Sequence, residues 1–134
     1  MIRGVKVTEE KDILLVADAM PVIRPTNFKV LYGFFEDGKC VGGMWLSSTY
    51  PYEMSVEYNS SSVYTAKAFA EVFSGLFTVV PAIVGSIKET NFKSLKLARQ
   101  FGFKQIYSMD GFIKVELRPE YYTYKKKYPL SVSR

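Results

Sequence analysis

Histidine is absent from this sequence of 134 residues, and cysteine occurs once, at Cys40. Without histidine the chain cannot build a Ser-His-Asp or Cys-His triad, a histidine zinc site or a histidine general base. A single cysteine excludes an intramolecular disulfide, which favours an intracellular, cytoplasmic protein. Catalysis would therefore use carboxylates, tyrosine, lysine, serine, Cys40 or the backbone, and the simplest interpretation of Cys40 is a buried small residue in a hairpin.

Long apolar runs are also missing. The longest apolar stretch, residues 69–84, is interrupted by polar residues, glycine and proline, whereas a membrane-spanning helix needs about 18 apolar residues in a row. Arg3 and Lys6 are not followed by an apolar block, so the start of the chain does not resemble a secretory signal. The length predicts a single domain without a membrane span, and a hydrophobic content of 48% is enough for a core.

Positive charge is scarce in the first two thirds of the chain and abundant in the rest. Residues 1–90 hold 8 Lys/Arg and 10 Asp/Glu, whereas residues 91–134 hold 10 Lys/Arg and 3 Asp/Glu. The basic half is therefore the expected docking face for an anion. Nucleotide phosphates, nucleic acid and an acidic protein partner all fit this charge.

The basic half ends in a tyrosine-rich tail, residues 121–134. Four tyrosines interleave there with three consecutive lysines: Tyr121, Tyr122, Tyr124, Lys125, Lys126, Lys127 and Tyr128. Lysine attracts phosphate and tyrosine rings stack on bases, so the tail suits single-stranded nucleic acid, and it equally suits a protein surface. The plainer alternative is a solvated extension whose first tyrosines pack on the domain.

Hydrophobic periodicity and turn signals predict the element order β-α-β-β-β-α-β-α-β-β. Asp37-Gly38 and Asp110-Gly111 each predict a hairpin, and the pair Gly42-Gly43 predicts a bulge or a close backbone approach. The predicted strands are residues 2–8, 28–35, 39–47, 53–58, 82–87, 103–108 and 112–117, and the predicted helices are residues 9–20, 65–77 and 92–101. The expected apolar face of the first helix consists of Ile13, Leu14, Ala17 and Met20.

The stretch from Ala82 to Phe103 carries the most specific local signals. An apolar strand leads to Asn91, a good helix N-cap, and Gly102 ends the helix because glycine accepts a left-handed conformation at low cost. The apolar residues between them recur in three-residue steps, at Phe92, Leu95, Ala98 and Phe101. These signals predict a buried strand followed by an amphipathic helix.

The spacing N-x-x-S-x-x-L-x-x-x-x-G-F within this stretch resembles the acyl-CoA-binding C-terminal half of the GNAT superfamily of N-acyltransferases. It is formed by Asn91, Ser94, Leu97, Gly102 and Phe103. The resemblance implies an α/β fold: a strongly twisted mixed sheet of six or seven strands with helices on both faces, splayed where the cofactor lies. It places this domain at residues 1–120, before the tail. An ordinary N-cap, amphipathic face and C-cap of any α/β protein is the alternative.

The resemblance also implies a phosphate-binding loop after the fourth strand, with the pattern Q/R-x-x-G-x-G/A. Counting from Val56, only Ala66 conforms, because Ser61, Ser62 and Tyr64 stand where the family has Arg or Gln and glycines. Hydroxyl groups and one lysine there still suit phosphate, and a Ser-rich N-cap without a ligand is the alternative. The candidate residues for binding acetyl-CoA or another acyl-CoA are Val56, Ser61, Ser62, Tyr64, Thr65, Ala66, Lys67, Asn91 and Ser94.

The catalytic groups that the resemblance implies are only partly present. Many GNAT enzymes have a tyrosine acid seven residues after the asparagine, and here that position is Ala98. Glu57 is the first candidate for the base that deprotonates an acceptor amine, and Glu53, on the same strand face, is the second. Two solvated strand carboxylates are the alternative, and no spacing selects Tyr58 or Tyr107 as a replacement acid.

The resemblance predicts an N-acyltransferase that moves an acyl group, such as acetyl, from acyl-CoA to an amine. The alternative is a catalytically silent interaction or assembly protein, for example a virion-assembly protein of a bacteriophage, associated with the virion. The missing glycines and Ala98 favour this alternative, and the intact Asn-Ser-Leu-Gly-Phe spacing favours the enzyme. The acceptor amine, the acyl group and the formation of a homodimer are left open.

Overall fold

The computed structural model describes residues 1–124, which form seven strands, three α-helices and a short 3₁₀ turn in the predicted order. The tail lysines and Tyr128 fall in residues 125–134, outside the described residues. None of the three helices in the described part is long and apolar enough to cross a membrane. The elements are β1 (Ile2–Lys6), α1 (Glu10–Asp18), β2 (Phe28–Glu36), β3 (Lys39–Ser47), β4 (Met54–Tyr58), α2 (Thr65–Leu76), β5 (Ile83–Lys88), α3 (Phe92–Phe101), β6 (Lys104–Met109) and β7 (Phe112–Leu117).

The first four strands form an antiparallel sheet in the order β1-β2-β3-β4, with α1 and α2 on opposite faces. Strand β2 shows why, since its successive side chains point to opposite faces. Val30, Tyr32 and Phe34 belong to the large core with α2, and Leu31 joins the smaller core with Val16 of α1. A strand that is apolar on both faces thus brings a helix to each side of the sheet.

The glycine pair of β3 makes the predicted close approach. Gly42 has φ of 153°, and a Cβ atom there would lie 2.1 Å from the carbonyl oxygen of Glu57 on β4. The register between β2 and β3 shifts beside it, between Phe34 and Phe35. The predicted bulge is confirmed, and any side chain at Gly42 would push β4 away from β3.

The last three strands form a second antiparallel sheet in the order β5-β7-β6. Both predicted Asp-Gly hairpins are present: Asp37 and Gly38 have φ of 50° and 83°, and Asp110 and Gly111 have φ of 53° and 79°. Two consecutive residues with positive φ are what a tight hairpin turn requires.

Helix α3 begins and ends as predicted. The Asn91 side chain accepts a hydrogen bond from the Ser94 amide at 3.2 Å, and Gly102 is left-handed with φ of 101°. The predicted apolar face is wrong at Phe92, which is 74% exposed. Each three-residue step falls about 60° short of a full helical turn, so Phe92 lies about 180° from the buried Phe101.

The same geometry corrects the apolar face of α1. Leu14 is 53% exposed, whereas Val16, Ala17 and Met20 are buried. Leu14 is rotated by about 100° from Ile13 because neighbouring residues of a helix differ by that angle. The helix also begins one residue later and ends two residues earlier than the predicted range 9–20.

The first residues of the predicted tail pack on the domain. Tyr122 is 1% exposed and stacks on Phe101, with 6.2 Å between the ring centroids. The Tyr124 ring meets Phe101 edge-on at 5.0 Å, and the Lys104 ammonium lies 3.9 Å from the centre of the Tyr121 ring. The aromatic core therefore extends past residue 120.

The two sheets meet at one point. Glu53, predicted as the first residue of the fourth strand, lies just before β4 and forms a single parallel bridge with Val84 of β5. The Val84 amide donates to the carbonyl oxygen of Tyr52 at 3.0 Å. This parallel contact joins the four-stranded and three-stranded sheets into a mixed arrangement, as the predicted fold requires.

Candidate active site

A slot opens between β4 and β5 beyond the Glu53–Val84 bridge, because in the described chain β4 pairs along its length only with β3. Ser47 N–H donates to Glu53 O, and Asn59 N–H donates to Val41 O, both at 2.9 Å. In an antiparallel pair these groups alternate, so the odd-numbered residues of β4 bond β3. The backbone N–H of Val56 therefore faces the slot.

The N-terminus of α2 stands at the end of β4 beside this slot. Its N-cap, Tyr64, makes no side-chain hydrogen bond to the first turn, and no acidic residue lies in that turn. The first turn does contain Lys67. Uncapped backbone amides, the positive end of the helix dipole and a lysine together suit a phosphate group. In α3, by contrast, the Asn91 side chain closes the first turn.

Ser62 and Thr65, at the start of α2, use their hydroxyl groups in hydrogen bonds within this region. Ser62 Oγ accepts from the Tyr64 amide at 3.1 Å, and Thr65 Oγ1 donates to Ser62 O at 2.7 Å. Thr65 Oγ1 also shares a hydrogen bond of 2.6 Å with Tyr58 Oη. These hydroxyls shape the loop, which leaves backbone amides, the exposed Ser61 and Lys67 as the groups for a ligand.

Tyr64 occupies the glycine position with a backbone conformation that does not require glycine. Its φ of −93° is negative, and with ψ of 11° it lies in the region that the third residue of a type I turn adopts. The loop therefore keeps its backbone course without glycine, and Ala66 follows in the half-buried first turn. The donor set of this loop fits a nucleotide pyrophosphate through its backbone.

Asn91 and Ser94 lie at the corresponding end of the neighbouring strand β5. They are joined to each other by the capping hydrogen bond that uses Asn91 Oδ1. Because β4 and β5 run parallel from their bridge, the N-termini of α2 and α3 follow the carboxyl ends of adjacent strands. Ligands of open α/β sheets bind at such an edge.

The Glu57 side chain binds the segment that follows α1 through hydrogen bonds. Its Oε1 accepts hydrogen bonds from the amides of Val22 at 2.7 Å and Ile23 at 2.6 Å. The indole Nε1 of Trp45 donates to the Ile23 carbonyl oxygen at 3.3 Å. Sequence reasoning missed this arrangement, since no local pattern signals a contact between residues 34 positions apart.

Glu53 has a different partner, although it shares a strand face with Glu57. Its Oε1 forms an ion pair with the Lys114 ammonium of β7. The structure therefore does not join the two carboxylates as a pair. Lys114 was not predicted, because only the register of three antiparallel strands places it beside Ser86 and Tyr107.

Tyr58 and Cys40, the remaining candidates, are both engaged in packing or hydrogen bonds within the fold. Tyr58 packs edge-on against Phe34 at 5.1 Å, in addition to its bond with Thr65. Cys40 is half-buried and its Sγ donates to Gly42 O at 3.2 Å. Burial raises the pKa of the Cys40 thiol, which keeps it protonated and weakens it as a nucleophile.

No protein-family model matches the chain, and no curated protein matches its sequence. Solved structures do match. Acetyl-CoA-bound N-acetyltransferase PseH of Campylobacter jejuni has a TM-score of 0.64 at 14% identity, over 88% of this chain and 99% of that one. The spermidine/spermine N-acetyltransferase SpeG of Vibrio cholerae has a TM-score of 0.67 at 11% identity, over 88% and 95%.

The ribosomal-protein-S18-alanine N-acetyltransferase of Escherichia coli matches as well, with a TM-score of 0.64 at 10% identity over 88% of this chain and 94% of that one. Each of these three neighbours is covered over nearly its whole length, 94–99%, and the TM-scores of 0.64–0.67 show a common fold. The resemblance that the Asn-Ser-Leu-Gly-Phe spacing indicated is confirmed at the level of the architecture. The chain therefore has the GNAT fold.

Proposed function

We propose that this protein is an N-acyltransferase that moves an acyl group, with acetyl as the first candidate, from acyl-CoA to an amine. The observation that carries the proposal is the slot between β4 and β5, with an uncapped helix N-terminus at its edge. The N-acetyltransferase neighbours support it, since one of them is a complex with acetyl-CoA. They give no support to the alternative of a catalytically silent assembly protein.

In this proposal the backbone does most of the binding. The amides of the first turn of α2, helped by Lys67 and Ser61, hold the pyrophosphate, and the α3 N-terminus with Asn91 and Ser94 lies along the pantetheine. When bound, acyl-CoA supplies the thioester whose acyl group the amine takes. The Val56 N–H, which faces the slot, donates to the thioester oxygen as negative charge develops on it.

Glu57 is the proposed base for the acceptor amine. Because its Oε1 already accepts two backbone amides, the other carboxylate oxygen, Oε2, is the one that receives the amine proton. The same hydrogen bonds hold the carboxylate in one orientation, which a general base requires. Glu53, which is paired with Lys114, is the second candidate.

Thermal unfolding with and without acetyl-CoA tests the binding half of the proposal. At 100 times its dissociation constant, a ligand of the native state adds about 2.7 kcal/mol of stability. We expect the melting temperature to rise with acetyl-CoA. It should rise less with dephospho-CoA, which carries neither the acyl group nor the 3′-phosphate. An unchanged melting temperature at millimolar acetyl-CoA would contradict cofactor binding.

The Glu57→Gln variant tests the catalytic half. Glutamine keeps an oxygen for the Val22 and Ile23 amides but is not a base, so the loop remains attached while proton transfer is lost. We expect an unchanged thermal shift with acetyl-CoA and a fall of about 100-fold or more in acyl transfer. Glu53→Gln, measured in the same assays, tests the second candidate base. An undiminished rate in Glu57→Gln would remove Glu57 from this role.

A further inference from the structure

An open concavity lies on the outer face of the second sheet. Ser86 of β5, Lys114 of β7 and Tyr107 of β6 stand side by side in register, so their side chains share this face. The opposite face carries buried residues such as Val115 and belongs to the core. The concavity has a volume of about 430 Å³ and is lined by Ser86, Tyr107, Met109, Asp110, Phe112 and Lys114.

This concavity adjoins the proposed site. Lys114, in its lining, forms the ion pair with Glu53, and Glu53 marks the point where β4 and β5 part. Glu53 and Glu57 lie four residues apart on β4 and its approach, so they occupy the same strand face. The lined face therefore continues the face of β4 that carries Glu57.

The lining is mainly apolar, although it is open to solvent. Tyr107 is 50% exposed, Met109 63% and Phe112 42%. Two aromatic rings and a thioether next to each other favour a flat apolar group, which can stack on the rings or contact the sulfur. The volume matches pockets for small molecules, which span about 300–1,000 Å³.

The charges at the concavity select against polycations. Asp110 can attract one ammonium group, whereas the Glu53 carboxylate already holds the Lys114 ammonium, which lies in the same lining. A second positive charge on the ligand would meet Lys114 at close range, and such a like-charge contact is a means of excluding a competing ligand. A polyamine would need several unpaired carboxylates instead.

The geometry points to this concavity as the acceptor pocket for a small monoamine with an aromatic body; this inference rests on the proposed function. In the transfer, the amine nitrogen bonds the acyl carbon while the carbon–sulfur bond breaks. The electron pair of that bond leaves on the CoA thiolate, and the proton lost by nitrogen passes to Glu57 and then to solvent. Tyr107, Met109 and Phe112 hold the aromatic body meanwhile.

The test compares kcat/KM for acetyl transfer by the full chain to 2-phenylethylamine, to spermidine and to a peptide with one lysine. We expect 2-phenylethylamine to exceed both others by about tenfold or more, since stacking and charge act together. Phe112→Ala is expected to raise KM for 2-phenylethylamine by about five- to tenfold, without altering the thermal shift with acetyl-CoA. Ile106→Ala, an exposed residue of the same strand region outside the lining, is the matched control and leaves KM unchanged.

Higher kcat/KM for spermidine or the peptide would overturn this inference and leave the proposed function standing. Absence of both acyl transfer and an acetyl-CoA thermal shift would overturn the proposed function. In that case, an NMR titration of the full chain with 2-phenylethylamine decides the pocket: shifts at Met109 and Phe112 support it, and none overturns it. A dimer that Phe112→Ala dissociates would show a second copy on this face and would also overturn the inference.

Discussion

At the scale of single residues, the chain departs from the GNAT sequence pattern at individual positions of the candidate site. Tyr64 stands at a glycine position of the family pattern, yet its φ of −93° needs no glycine. Ala98 removes the tyrosine acid that the resemblance implied, and Glu57 is occupied on one oxygen by two amides. The sequence identified these residues, but it could not show the contacts of Glu57, because its partners lie 34 and 35 positions away.

Cys40 gives a prediction for pH dependence. Burial raises the pKa of its thiol above the ordinary value, so the native protein holds the proton more tightly than the unfolded chain does. Its contribution to stability is therefore complete below the unfolded pKa of about 8.5 and is lost as the pH rises through the folded pKa. Alkylation by iodoacetamide is expected to accelerate at a higher pH in the native protein than in urea, where the same single thiol is the control. If the alkylation rate rose with pH at the same inflection point in the native and the unfolded protein, the raised pKa of Cys40 would be contradicted.

At the scale of elements, local capping and turn signals predicted where helices and strands begin and end, whereas hydrophobic periodicity did not predict every buried face. Asn91, Gly102 and the two Asp-Gly turns act through neighbouring residues, so the sequence predicted them and the order of strands correctly. The apolar face of α3 failed at Phe92 because steps of three residues drift around a helix of about 3.6 residues per turn. The ion pair between Glu53 and Lys114 depends on two sheets meeting, which no local pattern encodes.

The end of α3 gives a prediction for stability. A Cβ atom at Gly102 would lie 2.0 Å from the Tyr121 carbonyl oxygen, whereas at Gly111, also with positive φ, it would meet nothing within 4 Å. Both alanine variants bear the strain of positive φ, of about 1 kcal/mol. Gly102→Ala adds a backbone clash, so we expect its free energy of unfolding, measured in urea, to fall further by at least about 1 kcal/mol. Equal losses in the two variants would show that the Tyr121 segment does not pack there.

At the scale of the whole molecule, two antiparallel sheets joined at a single parallel bridge produce both the slot and the concavity. The aromatic core of Phe73, Phe101 and Tyr122 connects α2, α3 and the residues after β7. The overall architecture could be predicted because element order and a specific motif agreed. The substrate pocket could not, since Ser86, Tyr107 and Lys114 come together only through the register of three strands.

Two truncated chains distinguish the contribution of the core aromatic residues after Glu120 from that of the lysines near the end of the tail. A chain ending at Glu120 loses Tyr122, which is 1% exposed, and we expect its stability to fall by about 3–5 kcal/mol, as for other deleted core aromatics. A chain ending at Tyr124 keeps this packing, and its melting temperature is expected to stay within about 4 °C of the full chain. If the tail lysines dock nucleic acid, one of the three kinds of partner that suit the charge of the basic half, the chain ending at Tyr124 also loses salt-dependent retention on a single-stranded oligonucleotide. Equal melting temperatures for both truncations, or full retention, would contradict these expectations.

Amide hydrogen exchange with and without acetyl-CoA tests the central claim, that the slot between β4 and β5 binds the cofactor. We expect slower exchange in residues 54–67, which include β4 and the first turn of α2, and in residues 83–94, which include β5 and the start of α3. Strand β1, which lies at the far edge of the first sheet, serves as the internal control. Unchanged exchange in both segments at millimolar acetyl-CoA, or protection confined to other parts of the chain, would show that the cofactor does not bind in this slot.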